Sequence, residues 1–360
     1  MMHSFIYTAL PGRVVFGSGA LKQLSEEIGR LGAKRALLLT TANRKANGEA
    51  LLASLDGSAA ALYSKATMHT PIDVTEDALA EVRRVEADCL VAFGGGSTIG
   101  LAKAIALRTG LPQIAIPTTY AGSEMTPILG ETRDWRKTTQ KSMKVLPEVV
   151  IYDVELTLTL PKRLSGTSGI NAIAHSAEAL YAEDANPVVS ALAVESIAAL
   201  GSALPRIAEN LADRDARSDA QYGAFLAGAC LGSVGMALHH KLCHTLGGLF
   251  DLPHADTHSV ILPHTLAYNA PAVPKAIARI AGALGVADAP QGLFELSRKV
   301  GAPRALKEIG MPEEGIDQAT DLALSNPYWN PRPLERQGIR NLIAGAWAGE
   351  EPFAVNEGDG

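Results

Sequence analysis

Cys89 to Phe93 is a short, wholly apolar run that ends in Gly94-Gly95-Gly96-Ser97, and a helix of small and apolar residues follows from Ile99 to Leu107. A strand with no polar face belongs inside a sheet that is covered on both sides. Three glycines at a strand–helix junction let backbone amides turn toward an anion at the helix N-terminus. A plain tight turn without a ligand is the alternative, and the flanking strand and helix favour the phosphate site. The spacing is not G-x-G-x-x-G, so the ordinary Rossmann fingerprint is absent.

The rest of the first half repeats this alternation. Arg13 to Gly17 reads as a strand, and Leu21, Leu24, Ile28 and Leu31 recur at helical spacing. Ala36 to Leu39 is a strand ending at Thr40-Thr41, Ala59 to Tyr63 a weaker one, and Asp73 to Val85 a helix with Asp73 or Thr75 as its cap. Ile114 to Ile116 ends at Pro117-Thr118-Thr119, where two hydroxyls can reach the same ligand as the glycines. Thr126 to Asp153 reads as a β-hairpin followed by the strand Val149–Tyr152. Strand and helix in turn imply a parallel sheet with helices on both faces. The expected fold is an α/β N-terminal, Rossmann-like dinucleotide-binding domain over residues 1–155 and an all-α helical C-terminal domain over 156–360.

Cofactor preference is open to the same reading. An acidic residue at the end of the Ala36–Leu39 strand would bond an adenosine ribose and repel a 2′-phosphate. Here Thr40 and Thr41 stand there, followed by Asn43, Arg44 and Lys45. NADPH is therefore expected to serve alongside NADH.

After Pro161 the strands cease. Helical patterns cover Lys162–Thr167, Ile170–Ala182, Pro187–Asn210, Ser218–His244, Pro274–Leu284, Gln291–Val300, Leu306–Ile309, Glu314–Ala323 and Arg336–Trp347. Between Leu238 and His264 lie six of the chain's nine histidines, broken up by Gly247-Gly248, Pro253 and Pro263. His240 and His244 are four apart, as are Asn171 and His175, so each pair shares one helix face. Two such faces could meet, with His254 completing the set, to bind a metal or move a proton. Core and cap histidines are the blander alternative.

A formal charge of −6 gives no electrostatic case for nucleic acid or an anionic membrane. The first 17 residues show no signal peptide, no run of 18 apolar residues suggests a membrane span, and a cytoplasmic enzyme is expected. Cys89, Cys230 and Cys243 are too few and too far apart for a disulfide framework.

Taken together, these motifs resemble the iron-containing (group III) alcohol dehydrogenase family over essentially the full length. Its GGGS turn corresponds to Gly94–Ser97 and its PTT strand end to Pro117-Thr118-Thr119. A hairpin lysine ten residues before a proline corresponds to Lys137 with Pro147. The pattern D-A-x-x-H falls on Asn171 to His175, and H-x-x-x-H with a later P-H falls on His240, His244 and Pro253-His254. The resemblance implies a dinucleotide site at Gly94, Gly95, Gly96, Ser97, Thr118, Thr119, Thr40, Thr41, Asn43 and Lys137. It also implies a homodimer.

Three departures narrow this expectation. Asn171 stands where the family has an aspartate metal ligand, so the anionic donor for a hard divalent ion is lost. Gly100 replaces the family's aspartate after GGGS, and the loop after PTT is one residue short, reading Tyr120-Ala121-Gly122-Ser123-Glu124. Together with the string Asn326 to Pro333, these resemble the branch that reduces the C=C bond of 2-maleylacetate to 3-oxoadipate. The implied chemistry uses NADH or NADPH, a small dicarboxylate substrate and no tightly bound metal. His244 is then expected beside the nicotinamide, and His175, His240 and His254 around the substrate, with His239 a lesser candidate. Lys241 and Arg332 are possible partners for the substrate carboxylates. A cationic nest of imidazoles would take the metal's place. The rivals are a metal-dependent alcohol dehydrogenase acting on a small alcohol or aldehyde, a dehydroquinate-synthase-like lyase, and a binding protein with a vestigial site.

Overall fold

A computed structural model describes residues 5–352, except Pro11, Asp56, Asp134, Trp135, Pro327 and the side chains of Arg136 and Lys137. The chain divides into two compact units, residues 9–160 and, together with residues 5–8, the chain from Pro161 onward. The boundary falls five residues later than residue 155. The reason is a short turn, Val154–Thr157, tied back into the first unit: Asp153 accepts hydrogen bonds from the Gly19 and Leu21 backbone N–H groups, both at 2.9 Å.

The first unit runs β1 (Arg13–Phe16), α1 (Leu24–Arg30), β2 (Ala36–Thr41), α2 (Lys45–Ala53), β3 (Ala59–Ala66), α3 (Ile72–Arg84), β4 (Cys89–Gly94), α4 (Gly96–Thr109), β5 (Gln113–Pro117), the hairpin β6 (Ile128–Arg133) and β7 (Arg136–Lys141), and β8 (Val149–Tyr152). Six strands form one parallel sheet in the order β1-β8-β5-β4-β2-β3, with β6 and β7 paired separately and antiparallel. Cys89, Val91 and Phe93 of β4 pack with Leu24 and Ile28 from α1, Leu51 from α2 and Leu55 just beyond it. Strand side chains alternate in direction, so Leu90 and Ala92 face the other way, and α4 lies across β2, β4 and β5. That two-sided burial is why β4 reads as an unbroken apolar run. The expected cap of α3 is not formed: Pro71 precedes the helix, and the Thr75 hydroxyl donates to the Pro71 carbonyl instead.

Beneath the loop that follows β5, Lys103 of α4 is buried. Its ammonium donates to the carbonyls of Ser123, Thr126 and Ile128 and to the Thr126 hydroxyl, at 2.6 to 3.0 Å. Burial draws its pKa down to about 7, while Glu124 works in the opposite direction. The loop behind Thr118 and Thr119 is thus held by one buried lysine.

The second unit contains α5 (Lys162–Ala179), α6 (Pro187–Glu209), α7 (Arg214–Ser233), α8 (Leu238–Phe250), α9 (His254–Asn269), α10 (Pro274–Leu284), α11 (Ala289–Lys299), α12 (Gly315–Leu324) and α13 (Arg336–Ala348). Four of its details differ from the sequence expectation. The two patterns at 162–167 and 170–182 are one helix, α5, and every residue from Ser165 to Ala179 is buried. The single helix expected over 218–244 is two, α7 and α8, bent 95° apart. Val234 is extended there, and the break is stitched to Asp184 and Glu178 through the N–H groups of Gly235 and Ala237. Gly247-Gly248 does not end α8, which stops at Phe250, where Asp251 turns left-handed. Finally, α9 was not legible as a helix. All residues from Asp256 to Asn269 are buried, so it has no polar stripe, and it carries Pro263 inside.

By length and composition one described helix, α6, could cross a membrane, although no uninterrupted apolar run shows it in the sequence. In this fold it is a core helix, with Val189, Ala193, Ile197, Leu200, Leu204 and Ile207 as its buried stripe.

Candidate active site

In the α/β unit, the residues read as a nucleotide site converge on the carboxyl ends of three neighbouring strands. β2 ends at Thr40-Thr41, β4 at Gly94 with Gly95 as the cap of α4, and β5 just before Thr118-Thr119. Ligands in open α/β sheets bind at this edge. The Thr118 N–H donates to the Gly94 carbonyl at 3.1 Å, which locks the two strand ends together. A Cβ on Gly94 would lie 2.4 Å from the Thr98 hydroxyl, whereas one on Gly96 would meet nothing within 4 Å. The first glycine therefore serves close packing, and Gly96 leaves space before the helix N-terminus. The hydroxyl oxygens of Thr40, Thr98 and Thr118 are buried with no hydrogen-bond partner. Buried hydroxyls left in that state are costly, and a phosphate- and ribose-bearing ligand would satisfy them. The residues present fit a dinucleotide.

Thr41 bonds to Asn43, and Arg44 beside them is half-buried, which lowers the pKa of its guanidinium. Lys137 lies on β7 opposite Thr132, and its side chain is outside the described residues. Gly100 also has a physical reason. A Cβ there would fall 2.4 Å from the Thr70 hydroxyl, and Thr70 is already held at φ +46°. An aspartate at this position would clash.

In the helical unit, α5, α8 and α9 bring the histidines together. His175 Nδ1 lies 2.7 Å from His240 Nε2, so the two expected helix faces meet in direct hydrogen-bond contact. His240 Nδ1 lies 2.7 Å from Oε2 of Glu178, a fully buried residue one turn after His175. The same carboxylate accepts from the backbone N–H of Ala237 and of His239, each at 2.8 Å. It thereby caps α8, whose own N-cap residue Ala237 has no side chain able to do so. His254 and His244 are exposed, with their rings stacked 6.2 Å apart. His258, one turn after His254, lies 4.3 Å from that ring, centroid to centroid. The cluster therefore grades from two exposed rings to four buried ones.

His239 is a supporting residue. It is fully buried, its Nε2 lies 2.9 Å from His258 Nδ1, and its Nδ1 lies 3.3 Å from the Thr265 hydroxyl. Neither nitrogen is left for a substrate. Glu178 and His258 also belong to the cluster, although no motif in the sequence singles them out. Each follows a chosen histidine by one helical turn, and that spacing was the available signal.

The expectation of a wholly cationic nest fails for two of the buried rings, His239 and His258. Burial, followed by neighbouring imidazoles, holds His239 and His258 well below the usual histidine range. Arg332 is not available to a substrate carboxylate either. It is buried, donates to the Tyr268 carbonyl at 2.8 Å and stacks on the Tyr268 ring at 4.5 Å. Lys241 places its ammonium 5.4 Å from the Tyr328 ring centre.

The family's metal positions do not fit a tightly held divalent ion here. Asn171, His175, His240 and His254 offer four neutral donors and no anion. Two nitrogens on one tetrahedral ion would sit about 3.4 Å apart, but His175 and His240 close on each other at 2.7 Å. Asn171 Oδ1 is buried without a hydrogen-bond partner. A second trio, His239, Cys243 and His258, clusters nearby. Its two imidazoles are also hydrogen-bonded to each other, and burial pushes the Cys243 thiol well above its usual value.

Known proteins place these features in context. Residues 11–154 match the model for iron-containing alcohol dehydrogenase, and residues 165–347 match the C-terminal model of the Fe-containing alcohol dehydrogenase family. A maleylacetate reductase of Burkholderia cepacia is 55% identical over 351 residues, covering 98% of this chain and all of that one. The crystal structure of maleylacetate reductase from Agrobacterium tumefaciens is 52% identical with TM-score 0.94, covering 98% of this chain and 100% of that one. The crystal structure of a protein from Ralstonia eutropha JMP134 named "putative alcohol dehydrogenase" is 56% identical with TM-score 0.96, covering 97% of this chain and 99% of that one. Fold and strand-end site define an NAD(P)H-dependent oxidoreductase. The chain belongs to the iron-containing alcohol dehydrogenase family.

The buried neutral histidines make acid sensitivity predictable. Burial lowers His264 to about 4, and His239 and His258 shift in the same direction. Between those values and the unfolded value near 6.5, the unfolded chain binds more protons, so stability is complete above pH about 6.5 and is lost as pH falls. His264 alone accounts for on the order of 3 kcal/mol below pH about 4. Urea midpoints should decline steadily from pH about 7 to pH about 5; a constant midpoint would contradict the buried neutral state.

Proposed function

We propose that this enzyme reduces the carbon–carbon double bond of 2-maleylacetate to 3-oxoadipate, using NADH and accepting NADPH. The observation that carries this reading is neutral Asn171 with an unpartnered Oδ1, beside two imidazoles that bond to each other rather than flank an ion. Full-length similarity to proteins named maleylacetate reductase supports the same reading.

When bound, the reduced nicotinamide supplies the hydride that adds to the β-carbon of the enone. Negative charge then develops on the ketone oxygen, and the α-carbon needs a proton. Imidazole N–H groups can answer both needs, stabilising the oxyanion by hydrogen bonds and then donating the proton. His244 and His254, exposed and stacked, are assigned to contact with cofactor and substrate. His175 and His240 hold and return the proton, with Glu178 as counter-charge. Oxidation of a simple alcohol makes a different demand, because an alkoxide calls for a Lewis acid, and the donor set does not fit one. Threonines at the end of β2 and the half-buried Arg44 leave room for a 2′-phosphate. The reading carries with it a homodimer in the cytoplasm, with no nucleic-acid or membrane partner.

Purified enzyme should oxidise NADH with maleylacetate and show little activity with NAD+ and short-chain alcohols; the reverse pattern overturns the proposal. The kcat/KM for NADPH should approach that for NADH, and strong discrimination would remove the cofactor clause. His244→Ala should lower kcat by about 100-fold or more, and a near-wild-type rate would remove His244 from the mechanism.

A further inference from the structure

Glu178 sits at 0% exposure, with the backbone N–H of Ala237 donating to one of its oxygens, that of His239 to the other, and Nδ1 of His240 2.7 Å from Oε2. Both oxygens already accept a backbone N–H, and between a carboxyl oxygen and an imidazole nitrogen the proton belongs on the more basic nitrogen, which leaves a carboxylate that only accepts. The proton in the 2.7 Å contact with His240 therefore resides on Nδ1 of His240. In its neutral state, an imidazole protonated there carries its lone pair on Nε2. At 2.7 Å from that lone pair, Nδ1 of His175 must be the donor. The carboxylate thus sets the direction of both hydrogen bonds.

We propose that Glu178 is a positioning residue for the reaction: by fixing His240, and through it His175, in the Nδ1–H form, it directs Nε2 of His175 as the atom that takes up and releases the proton. The orientation has a consequence for charge. A proton bound at His175 Nε2 is balanced along the line by Glu178, whereas a line running the other way would present no counter-charge. The logic is that of a base oriented by a third group, built on two imidazoles instead of one. A neighbouring line shows the contrast. The Thr265 hydroxyl lies 3.0 Å from the Leu262 carbonyl and donates to it, so His239 Nδ1 is the donor to Thr265 and His258 Nδ1 the donor to His239. That second line ends at His258 Nε2, buried and unpartnered, with a neutral hydroxyl at its far end. It carries no anion.

The kinetic part of this inference rests on the proposed enone reduction, and the tautomers do not. Histidine-labelled wild-type enzyme, examined by two-bond 15N–1H correlation and assigned with His240→Asn and His175→Asn, should show both rings as Nδ1–H tautomers. Finding either ring as Nε2–H overturns the proposal without any Glu178 variant having to fold. Glu178→Gln keeps the side-chain volume but removes the charge. Its kcat with maleylacetate should fall about 100-fold with KM for NADH unchanged. An unchanged kcat, or a rise in KM alone, also overturns it. If wild-type enzyme fails to reduce maleylacetate while both rings are Nδ1–H, the substrate reading fails and the orientation by Glu178 stands.

Discussion

A carboxylate taken out of water must be repaid with donors where it lies, because an ionised group in a low-dielectric interior is otherwise prohibitive. Glu178 meets that condition with N–H groups rather than a cation, and the histidine cluster follows from it. Two donors are the leading amides at the start of α8, so the carboxylate fixes where that helix begins. The third is His240, which brings His175 into line. One side chain thus couples the path of the backbone to the chemistry of the site. Its anion also changes the meaning of Asn171. The family's frame keeps a negative charge near these imidazoles, but it is at the hydrogen-bonded end of His240 and not among the metal donors.

The α/β unit solves a separate problem with the same economy. Its strand ends and the first turn of α4 leave three threonine hydroxyls buried and unpaired, an arrangement that costs stability until a ligand supplies partners. Lys103 holds the adjoining loop by four oxygen contacts. A buried lysine on carbonyl oxygens serves the α/β unit, and a buried carboxylate on amides serves the helical unit.

What could be read from the chain beforehand was local. Gly94 to Ser97 and Pro117 to Thr119 declare themselves because strand, turn and helix are adjacent in sequence. The i, i+4 pairs at Asn171/His175 and His240/His244 do so because helical spacing alone sets their faces. Spacing places Glu178 one turn after His175, but its part in the cluster arises only when α8 begins beside it. The helix α9 escaped notice because a segment buried all round has no polar stripe and Pro263 reads as a break. Arg332 looked like a charge available to substrate, but Tyr268 holds it by carbonyl and ring. In each missed case a tertiary contact, absent from any window of sequence, decided the role.

Metal dependence tests the account at its centre. The measurement is the rate of maleylacetate reduction by enzyme exhaustively treated with chelator, with residual metal quantified in the same sample. The account predicts the untreated rate at far less than one metal per chain. Loss of activity on chelation, restored stoichiometrically by iron or zinc, would contradict it.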